Sequence, residues 1–477
     1  MRRITRRYSE MLFSSIMFIF YFLPITLGVY YLIPKSHLMA RNAWLLVASL
    51  VFYSWGEPVY LFLMIFSAAF NYYMAGEIDR EKTEGGSGKK NLVFALVINL
   101  MILGFFKYFG FLMDTINAVT GLSIGYTALP LPVGISFYTF QALSYIFDVY
   151  RDKVKVQKNP MMVALYLALF PQLIAGPIVN YKDIEEQLTE RSFSFDSFGS
   201  GAIRFCIGMG KKVILANNLG ALNAYVAAIA PDELTVLTAW IGIICYTLQI
   251  YFDFSGYSDM AIGLGRMFGF RFKENFNYPY TAVSITDFWR RWHISLSSWF
   301  RDYVYIPLGG NRVPVRRHIM NLLIVWSLTG LWHGASWNFV LWGVYFGVIL
   351  IIEKYLIGGY IEKMPSWAQH LYTMLIVTIS WVFFSITDIG EAVRYLGIMF
   401  GIGSSGFMDS STLYLLRTGL VLIAMGVLGS TERPVKEHER ISRGFRWHET
   451  VWALLVLLIS VSYLVYGSYN PFLYFRF

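Results

Sequence analysis

The chain has 477 residues, of which 56% are hydrophobic and only 14% charged. A soluble globular chain carries about a quarter charged residues, so this composition excludes an ordinary soluble domain. The net charge of +9 fits the basic cytoplasmic loops of a membrane protein, and no nucleic-acid partner is expected. The two cysteines, Cys206 and Cys245, lie in apolar stretches. They read as small core residues and imply no disulfide framework.

In chain order, long apolar runs come first. Residues 11–33 (MLFSSIMFIFYFLPITLGVYYLI) and 450–468 (TVWALLVLLISVSYLVYGS) are long enough to cross about 30 Å of hydrocarbon as helices. Spans are expected near 11–33, 43–56, 59–76, 91–113, 130–150, 199–230, 236–262, 319–333, 336–353, 371–386, 413–429 and 450–468. The expected class is therefore all-α: a polytopic membrane protein of about 12 transmembrane helices, with re-entrant and interfacial helices besides.

Alternate loops differ sharply in charge. One set carries Lys35 and Arg41; Arg80, Lys82, Lys89 and Lys90; Arg151, Lys153, Lys155 and Lys158; and Arg433, Lys436, Arg440, Arg443 and Arg446. The other set, Glu57-Pro58 and 114–128, has no Lys or Arg. The positive-inside rule places the first set in the cytoplasm and both chain termini outside a cytoplasmic (inner) membrane. Arg2, Arg3, Arg6 and Arg7 oppose this orientation and are outvoted by the later loops. The chain also makes sense from Met11, so 1–10 read as an extension or a misplaced start. The membrane domain is then 11–468, with a tail, 469–477, outside. Nothing resembles a cleaved signal peptide.

Three segments break the simple pattern. FPQLIAGPIVNYKDI (170–184) places Pro171, Gly176 and Pro177 close together. Proline removes backbone donors, so such a segment must be buried in protein or line a cavity; it reads as re-entrant, or else as a surface loop. QIYFDFSGYSDMAIG (249–263) sets Asp253 and Asp259 in an apolar helix. Carboxylates there line a polar path, or else bond a neighbouring helix or Arg290 or Arg291. SITDFWRRWHISLSSWFRDYVYIPLGGNR (284–312) repeats Trp289, Trp292, Leu296, Trp299, Tyr303 and Ile306 at helical spacing, with arginines on the opposite face. The pattern predicts one amphipathic helix at the membrane interface, capped by Thr286 and stopped at Pro307.

The seven histidines then separate into two kinds. His37, His318, His370, His438 and His448 fall in expected loops or at span ends, where solvation accounts for them. His293 and His333 lie among aromatics, His333 within LTGLWHGASWNFVLWGV (328–344). An ionisable residue inside a span is a functional-site hypothesis, and neutral imidazole can take and return a proton. A neutral histidine bonded to a backbone carbonyl is the alternative. Two histidines without nearby cysteine or carboxylate make a poor metal set, and no metal is expected. No nucleophile elbow, P-loop or dinucleotide fingerprint occurs. Acid–base chemistry on a group transfer fits these residues better.

The motifs FPQLIAGPIVNY, QIYFDFSGYSD, DFWRRWHISLSSWFRDYVYIPLGGNR and LTGLWHGASWNFVLWG, in that order, resemble the membrane-bound O-acyltransferase (MBOAT) family, and within it the bacterial alginate O-acetylation branch. The likeness runs from about Met11 to the last residue. It implies a funnel-shaped helical bundle with a catalytic core of about 170–345, His333 as catalytic base and His293 as the second histidine. It implies an acetyl-CoA donor and no bound cofactor. The Gly309-Gly310-Asn311-Arg312 turn, with Arg316 and Arg317, reads as cytoplasmic and would meet the donor's phosphates through backbone amides and guanidinium groups. Cytoplasmic positive charge explains the same arginines equally well. Trp332, Asp253 and Asp259 would face substrate. The terminal FLYFRF resembles the branch's aromatic-tyrosine motif, which implies Tyr474 as a transient acyl acceptor; an interfacial aromatic belt explains the same residues. The branch usually works with an extracellular or periplasmic SGNH-type transferase that acetylates a polysaccharide. Two other readings stay open: D-alanyl transfer from an acyl carrier protein, and a non-enzymatic transporter.

Overall fold

The computed structural model describes residues 11–127, 129–174, 176–442, 447–467, 470 and 473, without the side chains of 438–442. Among the described residues the regular structure is entirely helical, as expected. Seven helices are long and apolar enough to cross a membrane: Leu61–Thr83, Lys89–Thr120, Val236–Met267, Trp337–Ile361, Ser366–Ser385, Ser410–Gly429 and Trp447–Val465. The other expected spans are helical but shorter, interrupted or more polar. They are Phe18–Leu32, Leu38–Gly56, Ile135–Tyr150, Phe195–Gly210 continuing to Asn217–Ala227, and Val315–His333. Large apolar side chains such as Phe62, Met101, Val421 and Leu458 point outward, as lipid-facing residues do.

The helices form two compact units. The first holds the chain up to Phe205 together with Tyr257–Lys273. Its core is aromatic: Phe170 packs edge-on against Phe22 at 5.3 Å between ring centroids and against Phe268 at 5.8 Å. The proline-broken segment lies here. Preceded by helix Pro160–Ala168, it forms the short helix Phe170–Leu173, then runs without regular structure over its described residues to helix Tyr181–Thr189. It is buried along most of its described length, so its polar groups find partners in protein. The Phe170 N–H donates to Ser49 Oγ at 3.1 Å, and the Tyr166 hydroxyl to the Val179 carbonyl at 2.8 Å.

The second unit holds Cys206–Gly256 and residues from Glu274 onward. Its core gathers Trp289, Trp292, Trp342, Trp381, Phe346 and Phe384. The segment 284–312 departs from the single helix expected of it. It forms two short helices, Ile285–Arg291 and Ile294–Phe300, which break at Trp292-His293. The cap also differs: Ser284 Oγ accepts from the Asp287 N–H, and the Glu353 carboxylate accepts from the Ile285 and Thr286 N–H groups at 2.7 and 3.0 Å. The amphipathic pattern holds, with Trp289, Trp292, Leu296, Trp299 and Tyr303 buried and Arg290 exposed, while Ile306 is exposed.

Helices Val315–His333 and Trp337–Ile352 form a tight hairpin. A Cβ added at Gly343 would lie 2.2 Å from the Trp326 carbonyl oxygen, and one at Gly330 would lie 2.2 Å from that of Phe339. Both obstacles are backbone, so a methyl group there must part the helices. Gly343→Ala is expected to destabilise the protein by about 1–3 kcal/mol. Gly359→Ala, where nothing lies within 4 Å, should leave stability unchanged. Thermal midpoints of the two variants in one detergent check this.

Candidate active site

The site belongs to the second unit. His333 is the last residue of helix Val315–His333, where Gly334 takes an extended conformation and the chain turns back at Ser336. His333 is buried, and its ring packs against Trp332, Trp342 and Phe384 at 5.1, 5.2 and 5.2 Å between centroids. His293 is also buried, edge-on to Phe254 at 4.6 Å. The two imidazoles lie 6.5 Å apart, and Trp332 contacts both. The two histidines singled out by their sequence surroundings therefore share one aromatic site.

His293 sits in the left-handed region at φ 45°, where a residue without glycine's freedom is uncommon. This conformation breaks the helix and turns the imidazole inward. Asn275 fixes its orientation. Asn275 Oδ1 accepts from the Ser295 N–H at 3.2 Å and the Ser295 hydroxyl at 2.9 Å, and His293 Nδ1 lies 3.2 Å from the same atom. A backbone N–H only donates, so that atom is the amide oxygen and His293 Nδ1 carries the proton. Nε2 is then the basic nitrogen. Burial, and next the neighbouring His333, hold the His293 pKa well below the ordinary histidine value.

A small cavity of about 10 Å³ is lined by His333, Asp253, Trp292, Trp342, Trp381, Phe384 and Leu473, among others. A second, of about 530 Å³, is lined by residues that include Asn223, Gln249, Glu391, Arg394, Tyr395 and again Leu473. Asp253 is buried and pairs with Lys212 Nζ at 2.6 Å, while its Oδ2 accepts from the Leu473 N–H at 2.8 Å. Its partners are thus Lys212 and the chain terminus; Arg291 instead bonds Asp287 at 2.9 Å. Asp259 falls in the first unit and pairs with Arg204 at 2.8 Å.

Asn311 and Arg312 are exposed. Their turn is held from below by Asn321 Nδ2, which donates to the carbonyls of Leu308 and Gly310 at 3.2 and 3.1 Å. His318, expected to be solvated, is buried between the Tyr305 and Tyr355 hydroxyls at 2.7 and 2.6 Å. Tyr474 lies outside the described residues. No group of three or more His, Cys, Asp or Glu suited to a metal occurs among the described residues. Asn275, Lys212 and Glu353 serve the site through partners distant in sequence, and no local motif marked them.

Residues 151–389 match the membrane-bound O-acyltransferase family. The chain is 38% identical to the probable alginate O-acetylase AlgI of Azotobacter vinelandii, over 98% of this chain and 100% of that protein. It is 33% identical to the peptidoglycan O-acetyltransferase of Helicobacter pylori, over 98% of each. It is 31% identical to the teichoic acid D-alanyltransferase of Bacillus subtilis, over 46% of this chain and 58% of that one. The chain belongs to the membrane-bound O-acyltransferase family. It is a multi-pass membrane enzyme that transfers acyl groups, and the histidine-bearing elements lie within the matched region.

His293→Asn removes the imidazole but keeps a residue that tolerates positive φ, whereas β-branched His293→Val does not. Folded yield in detergent should stay near wild type for Asn. For Val it should fall, with about 1–3 kcal/mol lost. A lowered histidine pKa means that the unfolded chain binds a proton that the folded chain does not, once the pH drops below the ordinary value of 6.5. That part of stability is intact above this pH and declines as the pH falls. The thermal midpoint of His293→Asn should therefore drop less than that of wild type between about pH 8 and about pH 5.

Proposed function

We propose that the enzyme moves acetyl groups from cytoplasmic acetyl-CoA to the outer face of the cytoplasmic membrane, for O-acetylation of an extracellular polysaccharide. The observation that carries this is the pairing of His293 and His333 in one buried aromatic site beside a cavity that Leu473, the chain neighbour of Tyr474, also lines.

His333 is the general base. It takes the proton of the acceptor hydroxyl, which is the Tyr474 phenol or a partner's side chain. The oxygen attacks the thioester carbonyl carbon, so a C–O bond forms as the C–S bond breaks. The coenzyme A thiolate leaves, and the proton held on His333 passes to it, directly or, with a water between the two imidazoles, by way of Nε2 of His293. Trp332 packs on both rings, which keeps them oriented and excludes water. A tyrosyl ester remains an activated donor because phenolate is a good leaving group. An extracellular or periplasmic SGNH-type partner then takes the acetyl group and passes it to a polysaccharide hydroxyl.

The exposed Asn311-Arg312 turn, with Arg316 and Arg317, meets the donor's phosphates through guanidinium contacts. Its bracing by Asn321 and the buried His318 supports a fixed docking edge. Cytoplasmic placement of this turn follows from loop charge. D-alanyl transfer from a carrier protein is the weaker alternative. The relatives alike over the whole length carry O-acetyl names, while the likeness to the D-alanyltransferase covers 46% of this chain.

The test is mild-alkali acetate release from the surface polysaccharide of cells that express each variant at equal protein level. His333→Ala should lose acetate by roughly 10²–10⁴-fold, the usual weight of a positioned base. Tyr474→Phe should lose it too, and the wild-type C-terminal peptide should carry an acetylated tyrosine by mass spectrometry. Wild-type acetate in His333→Ala would overturn the base assignment. Loss confined to His333→Ala would leave the tail an interfacial belt.

A further inference from the structure

We infer that Asp253 is a positioning residue for the C-terminal segment, holding Leu473 where it lines both the His333 cavity and the larger cavity, and that Lys212 holds Asp253 in place. The inference rests on the relay reading above for its catalytic meaning, but its geometry is independent of it.

Asp253 and Lys212 are almost fully withdrawn from solvent, with side chains 3% and 2% exposed. Two charges so placed are costly to desolvate, and an apolar pair of similar size often stabilises helices just as well, so helix packing alone does not account for their being charged. The two helices come close enough for the pair at Gly256, where an added Cβ would lie 2.8 Å from the Gly208 carbonyl oxygen and 3.0 Å from the Lys212 nitrogen. Both Asp253 oxygens are engaged: Oδ1 meets Lys212 Nζ at 2.6 Å and Oδ2 accepts from the Leu473 N–H at 2.8 Å. A carboxylate held this way is unsuited to acid–base work. It is suited to gripping a main-chain donor, since such a bond is charge-assisted and indifferent to the side chain.

A second hold lies three residues earlier, where Asn217 Nδ2 donates to Asn470 Oδ1 at 3.1 Å. The Leu473 side chain is buried and lines both cavities. Asn470 and Leu473 are thus each held by a hydrogen bond, and Tyr474 is the next residue in the chain. Asp253 acts through the segment and touches no reacting atom in this scheme.

The test uses full-length protein with two double substitutions that avoid stranding one buried charge. Lys212→Met with Asp253→Leu replaces the ion pair by apolar groups of similar size, an exchange that proteins often tolerate. Lys212→Gln with Asp253→Asn keeps a carbonyl acceptor at the same place. Each is checked for a wild-type size-exclusion profile in detergent, then exposed to a carboxypeptidase, with C-terminal trimming followed by mass spectrometry. Surface polysaccharide acetate is measured in parallel. The apolar pair should be trimmed past residue 473 faster by about tenfold, the least expected for one charge-assisted hydrogen bond. It should also lose acetate as Tyr474→Phe does. The amide pair should restore both protection and acetate. Wild-type trimming of the apolar pair, or failure of the folded amide pair to restore protection, overturns the inference. Faster trimming with undiminished acetate upholds the hold on the segment and overturns the relay.

Discussion

Polar groups withdrawn from water must find their partners within the protein, and this constraint organises both units. In the first, Asn71 and Asn99 exchange amide hydrogen bonds at 3.0 and 2.9 Å. In the second, Lys212 faces Asp253, His318 lies between two tyrosines, and Glu353 takes the N–H groups that open the helix before His293. An unpaired polar group in hydrocarbon costs several kcal/mol, so each pairing fixes one arrangement of its helices. Lys212 and Glu353 both sit in widened helical turns, Lys211–Ala216 and Glu353–Ile357. Such turns interrupt regular packing and recur at functional sites. Here each opens at or next to a buried charge.

His333 stands at the tip of a hairpin whose seam is closed by backbone contact at Gly330 and Gly343. A helix slip of one turn moves a side chain about 5.4 Å. The glycine seam forbids such a slip without parting the pair, so the imidazole is set by the register of two helices. His293 is set differently, by a left-handed backbone and the Asn275 side chain. One histidine thus depends on interhelical packing and the other on a local turn.

Much of this was legible in the sequence. Composition alone gave the membrane class, and aromatic surroundings separated His293 and His333 from the other five histidines. Local motifs in order gave the family. What stayed hidden depends on contacts between distant positions. The break at His293 was invisible because Trp289, Trp292, Leu296 and Trp299 keep helical spacing across it: both short helices bury the same apolar stripe. A bond from Asp253 to a neighbouring helix was among the expectations, but nothing local in sequence singled out Lys212 over Arg290 or Arg291 as its partner. His318 looked solvated because it falls just outside the expected span 319–333, yet its neighbours in space are Tyr305 and Tyr355. Of the twelve expected spans, seven are helices long and apolar enough to cross a membrane among the described residues, and the other five are helical but shorter, interrupted or more polar, a distinction that hydropathy alone does not draw.

The small cavity beside His333 has one further consequence. Its volume of about 10 Å³ matches a single water-sized group. Two imidazoles 6.5 Å apart are too far for a direct hydrogen bond. Packed indole and phenyl rings occupy the space beside His333 where more water would stand. The same aromatic packing that orients the histidines therefore holds the water content there to about one molecule, so that ring edges and not bulk solvent set the surroundings of the His333 imidazole.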